Sequence, residues 1–305
     1  MAIPLTVIGL LVLIVLGTTL GISFSYAYFI THPPIDTKED SIEKLNRLDE
    51  SLLDFFTKVS KEDWDIPSYD NYLLHGTLLK QEQPSSSYVI ITHGYTSTRY
   101  SSIRYARLFY QLGYNVYLYD LRGHGVNAPV SCAMGSKEHR DILAITDAFY
   151  DRFGKEISIG LHGESLGASS TLLALAFKQD YCFAVADCGF SDLRKLMRYQ
   201  ARYRFHLPSF LASTASWASV LVNGFSFASI RPIDVMKNNQ VPILFITGAD
   251  DDFIPVSMTE DLYKADAGTP KKLHLFPGAV HAKSYASDPS AYKAYLQSFL
   301  EEVAS

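Results

Sequence analysis

Residues 157–177 read ISIGLHGESLGASSTLLALAF, and the pattern changes period at its centre. Ile157, Ile159 and Leu161 belong to an apolar run that suits a buried strand, whereas Ala168, Leu172, Leu175 and Ala176 recur at helical spacing. Between them lies Gly163-Glu164-Ser165-Leu166-Gly167, a G-x-S-x-G with Ser165 at the centre. A chain that turns from strand to helix in so few residues holds its central residue in a strained conformation. The flanking glycines remove the Cβ atoms that would collide as strand and helix approach. The predicted result is a serine hydroxyl in the open above a sheet, beside a helix N-terminus whose free N–H groups favour negative charge. Five loosely specified positions recur by chance, and the alternative is a glycine-lined turn with an idle serine. The placement between strand and helix gives the motif its weight.

Working outward, strands and helices alternate. Strands are expected over 71–80, 88–92, 115–120, 183–187, 241–248 and 272–276, and helices over 100–111, 138–153 and 291–302. Strands separated by helix-length segments predict an α/β fold with a parallel, doubly wound sheet. Residues 191–239 are too long for one crossover and are rich in arginine and aromatics, with Pro208 dividing them. They read as a small helical cap over the strand ends. The cap aromatics either line an apolar pocket or hold the cap together, and its arginines either meet an anionic substrate or lipid headgroups or, the preferred reading, are solvated helix faces.

Ahead of this domain (61–305) lie two other segments. Residues 1–30 contain no charged side chain. A helix over 3–24 would be roughly 33 Å long, enough to cross a bilayer, and Tyr26, Tyr28 and Phe29 would fall at an aromatic belt. The competing reading is a cleaved signal peptide, but no Lys or Arg precedes Lys38. The expectation is a retained single-pass anchor in the cell membrane, with the side of the domain undetermined. Residues 31–60 read as a linker, broken from the anchor by Pro33 and Pro34. An amphipathic helix over 36–60 follows, packed on the domain through Ile42, Leu45, Leu48, Leu52 and Phe56.

The 305 residues are 48% hydrophobic, enough for a sizeable core, and the formal charge of −5 argues against nucleic acid as a partner. Cys132, Cys182 and Cys188 make no disulfide framework and read as packing residues.

A serine hydroxyl needs a base within hydrogen-bond reach and a third group to orient that base. Two loops past predicted strands supply candidates: Ala249-Asp250-Asp251-Asp252 and Pro277-Gly278-Ala279-Val280-His281. In a parallel sheet, residues after successive strands gather at one edge. Ser165, one of the aspartates and His281 therefore converge by topology. Asp192 is a second-choice acid, and His93, His124 and His162 also lie near strand ends. Attack by Ser165 generates an oxyanion needing two backbone N–H donors. Leu166 would supply one, and Tyr95, after His93-Gly94, the other.

The segments ITHGYTS, YDLRGHG, GLHGESLGA, GADDDFIP and PGAVHAKSY together resemble the α/β-hydrolase superfamily, in the branch of serine aminopeptidase-like and monoacylglycerol lipase-like hydrolases. Bacterial members with an N-terminal membrane segment look similar. The resemblance spans residue 89 to the C-terminus. It implies an α/β-hydrolase fold and places the acid at Asp251, three residues after Gly248 and four before Pro255, leaving Asp250 and Asp252 as bystanders. It maps the second oxyanion donor onto Tyr95. The implied activity is hydrolysis of carboxylic esters through an acyl-enzyme, on a small-molecule ester or a short peptide, with no metal or organic cofactor. Glu164 stands where many relatives carry histidine or glutamine. An aminopeptidase-like amide hydrolase is the nearest alternative and would need an acidic group in its pocket. A non-catalytic binding protein on the same scaffold is the third reading.

Overall fold

The computed structural model describes residues 4–305; residues 1–3 of the expected anchor lie outside the described residues. Helix α1 (Leu5–Thr31) runs past the expected end at Phe24 and stops at His32, where Pro33 and Pro34 cannot continue it. The single amphipathic helix expected over 36–60 is two, α2 (Lys38–Leu48) and α3 (Ser51–Lys58). Asp49 breaks it: its backbone is extended, and its carboxylate accepts from the N–H and hydroxyl of Ser51 at 2.9 and 2.6 Å. Such local side-chain bonding competes with helix continuation. A capping box between Thr37 and Asp40 opens α2. Leu45 and Leu52 are buried on the domain, each burial stabilising by about 1.5–3 kcal/mol.

Strand β1 (Lys61–Asp63) and the short pair β2 (Ile66–Pro67) and β3 (Leu73–Leu74) precede β4 (Gly76–Leu79). The strand expected over 71–80 is thus β3 and β4, interrupted at His75, whose N–H bonds to the Asn127 side chain. There follow β5 (Ser87–Thr92), a 3₁₀ turn over Arg99–Ser102, α4 (Ile103–Gln111), β6 (Asn115–Tyr119) and α5 (Glu138–Phe153). Next come β7 (Ser158–Glu164), α6 (Leu166–Ala174) and β8 (Phe183–Asp187). Helices α7 (Leu193–Tyr203), α8 (Phe210–Asn223) and α9 (Pro232–Met236) lie in the segment expected to form a cap. Then β9 (Ile243–Gly248), α10 (Val256–Ala265), β10 (Lys271–Phe276), α11 (Ser284–Ser287) and α12 (Pro289–Ala304) close the chain.

Eight strands form one sheet in the order β1-β4-β6-β5-β7-β8-β9-β10. β6 through β10 pair parallel, while β4 and β1 add antiparallel at one edge. Chain order reverses beside β5: β6 lies on one side of it and β7 on the other. That switch point opens a crevice at the carboxyl ends of β5 and β7. One face of the sheet packs on α2, α3, α4 and α12, and the other on α5, α6, α10 and the cap. The last turns of α1 join the second core through Tyr26, Ala27 and Ile30. Tyr26 is therefore no belt residue: it is buried, and its hydroxyl donates to the Met197 carbonyl at 3.1 Å.

Candidate active site

Ser165 sits between β7 and α6 with φ 56° and ψ −114°, a region that non-glycine residues rarely occupy. Its N–H donates to the Asp187 carbonyl at 2.7 Å, which ties the strained turn to β8. Both motif glycines are required by close approach. A Cβ on Gly163 would overlap the Gly167 carbonyl, and one on Gly167 would overlap the Thr92 carbonyl of β5. Helix α6 therefore begins hard against the sheet, with Ser165 at its head.

His281 lies beyond β10 and Asp251 beyond β9. His281 Nε2 is 2.9 Å from Ser165 Oγ, and its Nδ1 is 2.7 Å from Asp251 Oδ2. The other Asp251 oxygen accepts from Phe253 and Ile254 N–H at 3.0 and 2.9 Å, so the carboxylate is buried yet fully paired. Phe253 also packs on the His281 ring, with centroids 4.9 Å apart. Asp250 and Asp252 are exposed. Asp192 is occupied elsewhere: it caps α7 through Lys195 N–H and pairs with Arg231.

The other candidate histidines are buried and away from Ser165. Nδ1 of His93 lies 2.8 Å from the Gly94 carbonyl, while Nε2 accepts from Leu121 N–H at 2.9 Å, which pins the loop after β5. Burial, then the neighbouring His124, drives the His93 pKa down to about 3. His162 also falls to about 3 by burial, with Nε2 3.1 Å from the Tyr292 hydroxyl. His124 is lowered as well, again by burial. All three are neutral structural groups at physiological pH.

Gly94 brings its backbone against the nucleophile turn, where a Cβ would stand 3.5 Å from Ser165 Cβ. The following Tyr95 N–H and the Leu166 N–H at the start of α6 have no protein acceptor among the described residues. The Tyr95 side chain reaches the other way, its hydroxyl donating to the Ile30 carbonyl of α1 at 2.7 Å. Asp36 N–H bonds to the Thr96 carbonyl at 2.8 Å, a second tie between this loop and the N-terminal segment.

Above Ser165 is a narrow cavity of about 30 Å³ walled by Ile30, Met134, Phe190, Leu196, Met197 and Ile254. As it stands the space is small for an acyl chain. Gln200 is the polar cap residue at the wall, donating to the Phe253 carbonyl at 3.1 Å. Sequence reasoning missed Ile30 as a wall residue. Its apolar side chain reads as lipid-facing, and only contacts distant in sequence show that it closes the pocket.

Beneath the nucleophile, Glu164 pairs with Arg104 and accepts from the Tyr105 hydroxyl. Burial opposes its charge, but the guanidinium and the Tyr105 hydroxyl outweigh burial and hold the carboxyl below its usual range. Asp187 shares this interior, accepting from the Tyr292 hydroxyl at 3.1 Å, with the Tyr105 hydroxyl, whose proton goes to Glu164, 3.3 Å away. Burial, then the Glu164 charge, raises its pKa to about 7. Cys188 Sγ lies within 4.8 Å of donor atoms of Asp251 and His281. Burial, then three neighbouring carboxylates, pushes its thiol far up and disfavours the thiolate a metal would need.

The family model for the prolyl oligopeptidase family matches residues 99–305. Among curated relatives, the Bacillus subtilis protein YqkD is 32% identical over 98% of this chain and 97% of its own. The Saccharomyces cerevisiae membrane protein YNL320W is 24% identical over 76% of this chain and 77% of its own. Among solved structures, the Pyrococcus furiosus esterase Pf2001 superposes with a TM-score of 0.67 at 25% identity, covering 83% of this chain and 92% of that one. The chain belongs to the prolyl oligopeptidase family and is a serine hydrolase of the α/β-hydrolase fold.

Proposed function

We propose that the protein hydrolyses carboxylic esters through an acyl-enzyme, with Ser165, His281 and Asp251 as the catalytic triad. Ser165 Oγ attacks the ester carbonyl as His281 Nε2 takes its proton, and Asp251 holds the imidazole tautomer and its charged form. The tetrahedral oxyanion is bound by Tyr95 and Leu166 N–H. The carbon–oxygen bond to the alcohol then breaks, and His281 gives its proton to the leaving alcohol. Water repeats the cycle on the acyl-Ser165 ester, releasing the carboxylic acid and restoring the serine.

The observation carrying this reading is the continuous Ser165–His281–Asp251 chain of 2.9 and 2.7 Å contacts. Ester rather than N-terminal peptide cleavage is supported by the wall. Among the described residues it holds no carboxylate to receive a substrate ammonium, and Glu164 is already paired with Arg104. A retained N-terminal anchor is supported by Ile30 in the wall and by the bond from Tyr95 to its carbonyl. α1 is long and apolar enough to cross a membrane, and the yeast relative is a membrane protein.

The test is full-length protein and Ser165→Ala, each treated with a fluorophosphonate and assayed on p-nitrophenyl esters of increasing chain length. Labelling and turnover are expected in the wild type alone, with Ser165→Ala down at least about 10⁴-fold. Equal turnover in both proteins would remove Ser165 from the mechanism. A folded wild type that binds esters without labelling or turnover would point to a binding protein.

A further inference from the structure

The cap carries a surface that ester hydrolysis leaves unused. From Phe205 to Ile230 the chain has no Asp, Glu, Lys or Arg. Phe210, Val220 and Val222 of this stretch are exposed, and Trp217 and Leu221 are each 79% exposed. The opposite side of α8 is small and buried, through Ala212, Ala215, Ala218 and Ser219. It packs beside α1, with Ser23 Oγ 2.6 Å from Thr214 Oγ1. Val222 shares a recess with Tyr28 and His32, so α8 runs alongside α1 in the same direction. Its N-terminal end points toward the outer part of α1.

Length then sets the depth. The part of α1 clear of the domain, residues 5–18, is about 21 Å long at about 1.5 Å per residue. A hydrocarbon core is about 30 Å thick. The shortfall falls on residues 19–24, the level at which Ser23 meets Thr214. A bilayer covering the apolar length of α1 therefore also covers the end of the α7–α8 turn and the first turns of α8, while Phe205 sits lower, against Tyr26 and Phe29. Trp217 then lies at the interface, where tryptophan is favoured.

Charge and cavity shape agree with this placement. Arg194, Arg198 and Arg202 repeat every four residues on the exposed side of α7, with no carboxylate partner among the described residues. They form a basic row leading to the apolar turn, suited to anionic headgroups. Between α1 and the cap runs a groove of about 620 Å³ lined by Thr18, Ile22, Tyr26, Phe29, Phe205 and Leu207. Tyr26 hydrogen-bonds the Met197 carbonyl, and Met197 with Ile30 walls the cavity over Ser165. Tyr26 of the groove thus touches a residue of the cavity wall.

We propose that the cap is a membrane-docking surface. The end of the α7–α8 turn and the first turns of α8 insert beside α1 into an anionic phospholipid bilayer, with Trp217 and Leu221 at its interface, and the cavity over Ser165 is filled from that bilayer by the acyl chain of a lipid ester. The substrate half rests on the hydrolase reading above; the docking half stands without it.

The test uses the full-length chain in nanodiscs of phosphatidylcholine containing one-third phosphatidylglycerol. Trp217 emission is read as the signal lost in Trp217→Phe, a change at an exposed position. Brominated acyl chains are expected to quench that signal at least twofold, and aqueous acrylamide to leave it nearly unchanged. Quenching by acrylamide but not by bromolipid would mean a solvated cap, and protection from both would mean a second copy covering α8. Either result overturns the docking. Rates on a bilayer-embedded fluorogenic ester and on p-nitrophenyl acetate are then compared for Trp217→Asp/Leu221→Asp and for Arg198→Glu/Arg202→Glu. The bilayer rate is expected to fall at least tenfold with the soluble rate unchanged. Loss of neither rate, or an equal loss of both, overturns supply from the bilayer. Bromolipid quenching in a wild type that hydrolyses neither ester would uphold the docking and overturn the hydrolase reading.

Discussion

Replacing Arg104 by methionine tests whether the charge beneath the nucleophile is as desolvated as the packing implies. Arg104 lies against the Tyr105 ring, 4.7 Å from its centroid, and is the sole cation paired with buried Glu164 among the described residues. Methionine fills much of the same volume and removes the charge. Leaving one member of a buried pair uncompensated costs about 3–5 kcal/mol. At about 2–4 °C per kcal/mol for a domain of this size, the melting temperature should fall by about 10 °C near pH 8. The loss should depend on pH. In the wild type the Glu164 carboxyl sits below its ordinary 4.5. Its pairing therefore adds stability that is complete above the unfolded pKa and lost as pH falls through the folded one. In Arg104→Met only the Tyr105 hydroxyl still opposes burial, and the folded pKa rises above the unfolded value. The penalty is then small near pH 4 and grows as pH increases. Thermal unfolding of full-length protein in detergent, followed by near-UV circular dichroism between pH 4 and 8, measures this. Arg104→Met/Glu164→Gln should recover more than half of the loss at pH 8. A shift under about 2 °C that is flat with pH would show the pair to be solvated and the reasoning wrong.

Asp251→Asn should lower kcat by about 10⁴-fold, because the amide no longer selects the His281 tautomer, whereas Asp250→Asn and Asp252→Asn should stay within about twofold; ester assays on the three variants decide it, and equal losses would reassign the acid. Asp187, raised to about 7 by burial and then by Glu164, favours the folded state when protonated. Stability from it is complete below the unfolded value of 3.8 and is lost as pH rises through about 7, at up to about 1.4 kcal/mol per pH unit. Asp187→Asn should flatten that decline between pH 5 and 8 in the same unfolding measurement, and an unchanged slope would clear Asp187 of the effect.

Much of this architecture is legible along the chain because it rests on local rules. The period change around Ser165 marks strand, turn and helix within one short segment, and β8 and α5 fall where apolar pattern and length put them. Boundaries moved where a side chain competes with the backbone, as Asp49 does between α2 and α3. The convergence of Ser165, Asp251 and His281 follows from strand order alone, since parallel strands deliver their following loops to one edge. The assignment of Asp251 among three consecutive aspartates came from the resemblance. In the fold, Asp251 is the buried one whose second oxygen takes Phe253 and Ile254 N–H, while its neighbours face solvent.

What the sequence by itself determined are the properties carried by short-range periodicity and by chain order: an apolar helix, a doubly wound sheet, a serine at its elbow, and an acid and a base after later strands. Only the tertiary structure decided what those elements touch. It put Tyr26 and Ile30 of the apolar helix into the domain, tied Tyr95 to the Ile30 carbonyl, and matched Glu164 with Arg104 rather than with the pocket. The physical reason is that an apolar residue gains by leaving water whether it meets lipid or protein, and a buried carboxylate needs a cation from wherever the fold can bring one. Hydropathy and composition carry the same signal for each alternative, and the choice between them is made by contacts between residues far apart in the chain.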